Sequence, residues 1–184
     1  MRIATFDLET SGLEGDVGRI LCASILDHTT GDMVSFRNDW LKKKKSMADD
    51  GPIALTIRDE LETFHMTIGW YSKGFDIPFL NTRLVKAGHR PLRSMLHLDP
   101  IWACKGWRGI KARSAKMAVM AEFFNLPERK PGVDVDVWID AALGGDKQAM
   151  DMLVERCEAD VRITYQLTNK LLDTGLIKNI QSYP

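Results

Sequence analysis

The chain opens with a short apolar run over residues 3–8 that ends in the acidic tripeptide Asp7-Leu8-Glu9 and turns at Ser11-Gly12. Short apolar runs bounded by turn residues read as strands, so 2–8 is a predicted strand. Residues 19–27 (RILCASILD) are a second and 33–37 a third, joined through Thr29-Thr30-Gly31-Asp32. Together they make an antiparallel meander. The spacing then becomes helical: Pro52 suits a first turn, and Ile53, Ile57, Leu61 and Phe64 share one face over 52–64. A buried strand over 67–71 follows, then a helix over 78–86 with Phe79, Leu80 and Leu84 inward, stopped by Gly88 and Pro91. A strand over 94–98 ends at Asp99-Pro100. Ser114 is placed to cap a helix over 114–125 with Met117, Val119, Met120, Phe123 and Phe124 as its apolar set. Residues 127–136 read as a loop and 137–143 as a short helix. Asp146 caps a long last helix reaching about residue 173, whose stripe is Leu153, Cys157, Val161, Thr164, Leu167 and Leu171. Strands interleaved with helices predict an α/β fold, a mixed central sheet flanked by helices.

Composition narrows the class. With 184 residues, no internal repeat and no low-complexity linker, 1–184 is expected to be a single domain. Hydrophobic residues at 45% and charged residues at 27% are ordinary for a soluble globular protein. The N-terminus enters strand-like sequence directly and no run is long enough to span a bilayer, so a soluble, cytoplasmic protein without membrane contact is expected. Twenty-five basic and 25 acidic residues cancel, so a polyanion has to be held by a local basic patch or by metal. Cys22, Cys104 and Cys157 are odd in number and lack CxxC spacing, which suits buried thiols rather than a disulfide framework or a zinc site. His28, His65, His89 and His97 show no ligand spacing.

Three stretches carry chemistry. In a strand, Asp7 and Glu9 project from the same side about 7 Å apart and repel each other unless a cation lies between them. Hard divalent ions such as Mg²⁺ or Mn²⁺ suit such a pair, although the same D-x-E pattern occurs at solvated strand ends. The second stretch, 68–83 (IGWYSKGFDIPFLNTR), runs from a strand through a Ser-Lys-Gly turn into a helix. It places Asp76 near the helix start, either as a cap or as a third acid beside the strand end, with Phe75 and other bulky apolar residues around it. In the last helix, Asp160 lies at the edge of the apolar stripe, and Arg156 precedes it by the four residues of a helical ion pair. Residues 105–116 (KGWRGIKARSAK) hold five basic residues and no acid, with Trp102 and Trp107 nearby. Lys105, Trp107 and Arg108 are thus candidates for gripping a single strand through phosphates and stacking, the alternative being a solvated loop over buried tryptophans. Lys42 to Lys45 is a solvated loop or a phosphate-steering one, and Asp134, Asp136 and Trp138 either edge a site or cap the following helix.

In order and spacing, TFDLETSGL, GFDIPFLNTR and CEADV followed by Thr164 and Leu167 resemble the three motifs of the DEDD, or DnaQ-like, 3′–5′ exonuclease superfamily. The resemblance runs from Ile3 to about Leu172 and implies a ribonuclease H-like fold. It implies Asp7, Glu9, Asp76 and Asp160 as ligands of two divalent ions, Mg²⁺ or Mn²⁺, which activate water and neutralise charge in phosphodiester hydrolysis. It also implies Thr10, Ser11 and Leu13 as contacts for a 3′-terminal nucleotide, where Leu13 reads equally as core. Two positions depart from the family pattern. Relatives carry a Tyr four residues before the last Asp or a His five before it, where this chain has Arg156 and Glu155. Arg stays protonated and cannot be a base, so Arg156 is expected to contact the scissile phosphate or the ion-pair network. Tyr71 stands where relatives have an Asn, and either stacks a terminal base or belongs to the core. The expected activity is release of nucleoside monophosphates from a nucleic-acid 3′ end, single-stranded by preference. The setting would be a stand-alone nuclease or a replication or repair assembly. Two alternatives are a weakened or inactive protein that binds 3′ ends without cutting, and a structural role in which the acids only cap.

Overall fold

The computed structural model describes residues 1–40, 49–105, 109–143 and 146–178. The strands are β1 (Ile3–Thr10), β2 (Ile20–Asp27), β3 (Met33–Arg37), β4 (Met66–Ile68) and β5 (Leu96–Leu98), ordered β3-β2-β1-β4-β5 in one sheet. The meander β1-β2-β3 is antiparallel, while β4 joins β1 and β5 joins β4 in parallel. Parallel neighbours need crossovers, and helices supply them: α1 (Gly51–Leu61) and α2 (Asp76–Lys86), followed by α3 (Ile101–Lys105), α4 (Met117–Phe123), α5 (Val135–Leu143) and α6 (Lys147–Asp173). This is the mixed α/β architecture expected from the sequence.

Alternation along β1 divides the core. Ala4, Phe6 and Leu8 pack with Ile53, Ile57 and Leu61 of α1 and Phe79, Leu80 and Leu84 of α2. The opposite face of the sheet carries α6, whose Cys157 lies against Asp7 and whose Leu153 packs with Leu21 and Cys22 of β2. Asp146 caps α6 as expected, accepting from the Gln148 and Ala149 amides at 2.8 and 3.1 Å. All six residues of the expected α6 stripe are buried.

Several local expectations are corrected. Strand β4 stops at Ile68 instead of residue 71, because the chain turns and Tyr71 takes a left-handed φ of 62°. Helix α1 ends at Leu61, three residues early, with Phe64 still buried beyond it. Helix α3, too short to show a period, was not anticipated. Ser114 does not cap α4; its hydroxyl accepts from the Lys116 amide in the preceding turn, and the helix starts at Met117. Phe123 is exposed rather than part of the α4 core face. The side chain of Asp50, the residue before α1, is buried against Arg83 at 2.6 Å and accepts from the Ile20 amide at 2.8 Å. Arg83 also donates to the Gly15 carbonyl at 3.0 Å, so one buried pair ties the loop after β1 to α2. Lys42 to Lys45, Trp107 and Arg108 lie outside the described residues. The three cysteines are free and buried. Among the described residues no helix is long and apolar enough to cross a membrane.

Candidate metal and nucleic-acid site

Strand β1 delivers Asp7 and Glu9 to the face on which α6 lies, and the β1–β2 register slips immediately after Glu9. A slip of this kind ends the alternation and lets the chain turn away from the sheet. Asp160 comes to the same place from the buried side of α6. One carboxylate oxygen each from Asp7, Glu9 and Asp160 lies within 4.8 Å of the others. Asp76, in the first turn of α2, completes the group from the other side of β1: its Oδ1 accepts from the Leu8 amide, between the two β1 acids, at 3.1 Å. Asp76 is thus both seated at a helix start and one of the four acids lining a cleft of about 640 Å³.

Burial acts on all four groups in the same direction. Desolvation holds the Asp7 carboxyl well above the usual carboxylate range, with repulsion from Asp76, Asp160 and Glu9 added and Lys130 opposing. Asp76 is pushed up to about 7, first by burial, against the bond from Leu8. Glu9 is raised by burial against the pull of Arg156 and Lys130, and Asp160 by burial against Lys130. Asp160 Oδ1 is buried and has no hydrogen-bond partner. An unpaired buried oxygen beside two more carboxylates fits a hard, oxygen-ligated divalent cation, so these residues suit Mg²⁺ or Mn²⁺.

Positive charge reaches the cluster from two directions. Arg156 Nε donates to Glu9 Oε1 at 3.1 Å and Nη1 to the Pro131 carbonyl at 2.7 Å, while the guanidinium lies over the Trp138 ring at 5.1 Å. The i, i+4 pair with Asp160 therefore does not form, because the long side chain reaches across to β1. Asp160 is held instead by Lys130, from the loop before α5. Trp138 lies inside α5 and does not cap it; its indole N–H donates to Glu9 Oε2 at 3.1 Å. Asp134 and Asp136 are exposed and line no part of the cleft. Glu155 is exposed on α6 and is likewise absent from the cleft, so it does not take the place of a base.

The outer cleft is aromatic and basic. Tyr71, Phe75, Trp70, Lys105 and Lys116 line it together with the acids. Tyr71 is 44% exposed, which excludes the core reading. Its turn is pinned by Asp99, which accepts from the Tyr71 amide at 2.8 Å and the Lys73 amide at 3.1 Å. A Cβ at Gly74 would lie 2.6 Å from the Tyr71 ring, so only glycine lets the ring lie flat there. The Lys105 ammonium sits 5.1 Å from the Tyr71 ring and 5.3 Å from that of Trp102, which is itself half exposed. Thr10, Ser11 and Leu13 are not among the lining residues: Thr10 is bonded to the Gly12 carbonyl and Ser11 to the Arg19 amide, closing the turn on itself. Leu13 is 81% exposed, which excludes its core reading. Lys130 and Asp99 carry no sequence signal of a role; both act from loops without periodicity.

A family model described as the RNase H superfamily matches residues 4–172. Among curated proteins none matches the chain. Among solved structures, the family B DNA polymerase from the hyperthermophilic archaeon Pyrobaculum calidifontis is similar in fold, with a TM-score of 0.70 at 18% identity. The alignment covers 96% of this chain and 25% of the polymerase, so the chain spans about a quarter of that protein's length.

Proposed function

The chain belongs to the RNase H superfamily, and from that premise we propose that residues 1–184 form one metal-dependent 3′–5′ exonuclease domain releasing nucleoside monophosphates. The observation that carries this reading is the convergence of Asp7, Glu9 and Asp160 within 4.8 Å, beside Asp76, on the floor of a cleft whose outer wall is basic and aromatic. Mg²⁺ or Mn²⁺, two ions during turnover, would supply an activated water and charge neutralisation at the leaving oxygen. The chain's own residues divide the remaining work. Asp7, Glu9, Asp76 and Asp160 would hold the ions. Arg156 fixes Glu9 through Nε and presents positive charge at the cleft wall to the scissile phosphate. Tyr71 and Phe75 offer stacking faces to a terminal base, and Lys105 offers an ammonium to a phosphate. Thr10, Ser11 and Leu13 form the turn flanking the strand end, with the exposed Leu13 available to a terminal nucleotide. A cytoplasmic setting and replication or repair proteins as partners belong to the same proposal.

An exonuclease needs an end. Linear single strands, DNA or RNA, are expected to shorten to mononucleotides in Mn²⁺ while circular single-stranded DNA survives; loss of the circle at a comparable rate would contradict the reading. A second reading, a protein that holds 3′ ends without cutting, is favoured by one observation: Lys130 and Arg156 already bond to Asp160 and Glu9. Saturable binding of linear strands with no product in either metal would select it.

A further inference from the structure

His97 belongs neither to the acidic cluster nor to the cleft wall, yet both of its ring nitrogens are engaged. Nδ1 lies 2.8 Å from Thr67 Oγ1 and Nε2 lies 2.8 Å from Ser72 Oγ, and both of those residues are fully buried. The ring meets Phe6 of β1 edge-on at 6.2 Å between centroids, which fixes its plane. Burial, with the Lys73 ammonium adding to it, pushes the imidazole down to about 4, so the ring is uncharged at neutral pH. A neutral imidazole donates through one nitrogen and accepts at the other, so it bridges two hydroxyls and leaves neither nitrogen unpaired. The bridge ties the end of the sheet to the turn that carries Tyr71, since Thr67 lies in β4, His97 in β5 and Ser72 in that turn. Asp99, just after β5, accepts from the Tyr71 and Lys73 amides, so three consecutive residues of the turn are bound to one strand end. Of these, Ser72 also accepts at its carbonyl from the Ile77 amide in the first turn of α2, at 2.9 Å. A Cβ at Gly69 would lie 2.6 Å from the Ser72 Cβ, so glycine there is what lets Ser72 tuck in toward the ring. With Ser72 held inward, Tyr71 is left outward on the cleft wall.

We propose that His97 is a positioning residue: through the Ser72 hydroxyl it latches the turn over 71–75, so that the Tyr71 ring faces the cleft before a strand end arrives. A turn that is already set spares the incoming strand the cost of ordering it, so the latch acts on substrate affinity rather than on the chemical step. This deepens the exonuclease reading and rests on it for what Tyr71 meets; the latch itself is a property of the free protein.

The test compares the full chain with His97→Gln, His97→Asn and Ser72→Ala. A Gln amide reaches about as far as Nε2 and keeps a partner for Ser72, whereas an Asn amide reaches only about as far as Nδ1 and serves Thr67. Both give up the ring contact with Phe6, so the difference between them isolates the Ser72 bond. Hydrogen exchange read by mass spectrometry is expected to run roughly tenfold faster over 71–75 in His97→Asn and Ser72→Ala, with β1 and α6 unchanged and His97→Gln restoring the parent rate. In the same two variants KM for a single-stranded oligonucleotide should rise about tenfold while kcat stays within about twofold, and adding Tyr71→Asn should raise KM no further. Equal exchange over 71–75 in His97→Gln and His97→Asn would overturn the latch, and so would faster exchange spread over the whole chain, as a general packing role produces. A loosened turn with unchanged KM would overturn its part in substrate binding and leave the exonuclease reading standing. A parent that cuts no strand would contradict the exonuclease reading instead, and the exchange rates decide the latch in either case.

Discussion

At Asp76 one backbone amide opposes the cost of burying a carboxylate and loses. The side chain is about 4% exposed and accepts from Leu8, and burial still pushes its carboxyl up to about 7. A carboxyl whose folded pKa lies above its unfolded value near 4 binds protons more tightly in the native state. Its contribution to stability is full below pH 4 and is lost as pH rises through 7. Without divalent ions, the thermal midpoint is expected to fall across that window, and Asp76→Asn, which keeps the acceptor for Leu8, should flatten the curve and add about 2 kcal/mol at pH 8. An unchanged pH profile would place the titration elsewhere. Tyr71 is the second residue where position and chemistry conflict. A bulky side chain at φ 62° costs about 1–3 kcal/mol, held here by the Asp99 bonds and the Gly74 gap. Such strain persists where the ring serves a purpose. Tyr71→Asn is expected to stabilise the fold by about 0.5–1 kcal/mol, since Asn tolerates the left-handed region, while raising KM for oligonucleotides roughly tenfold through the lost stacking face. A stabilised variant with unchanged KM would remove Tyr71 from the substrate site.

Among the elements, β1 and α6 do most of the positioning, and both were legible in the sequence. Alternation puts Asp7 and Glu9 on one face, and the apolar stripe of α6 fixes which side of that helix carries Asp160. The loops were not legible, because nothing periodic reports where they go. Lys130 and Trp138 reach the cluster through a chain path that only packing determines, and Arg156 chose Glu9 over its helical neighbour because the β1 acid lay within reach of its longer side chain. The turn after β1 closes on itself through the hydrogen bonds of Thr10 and Ser11, and Arg83 with Asp50 fastens it to α2, which leaves Leu13 exposed beyond it. Removing one partner of such a buried pair leaves a charge uncompensated. Arg83→Ala is expected to cost about 3–5 kcal/mol, read as a drop in denaturant midpoint at constant m. A cost below about 1 kcal/mol would mean the pair is replaced by solvent rather than structural.

At the scale of the whole molecule, charge neutrality and the fold together turn attention to the cleft over the end of β1. No net charge draws a polyanion to the chain, so on the proposed reading binding falls to Lys105 at the end of α3, Lys116 just before α4 and the ions among the acids of β1, α2 and α6. The fold explains why those acids meet: the parallel pairing of β1 with β4 brings the start of α2 beside the end of β1, and α6 crosses behind both with Asp160 at its middle. The central claim is that this meeting point cuts phosphodiester bonds from a 3′ end. Single-stranded DNA and RNA oligonucleotides labelled at the 5′ end, incubated with Mg²⁺ or Mn²⁺ beside an Asp7→Ala variant, test it most directly. A ladder that shortens from the 3′ end and disappears with Asp7→Ala is the predicted result. Intact label in both metals, or a ladder that Asp7→Ala leaves unchanged, would contradict it.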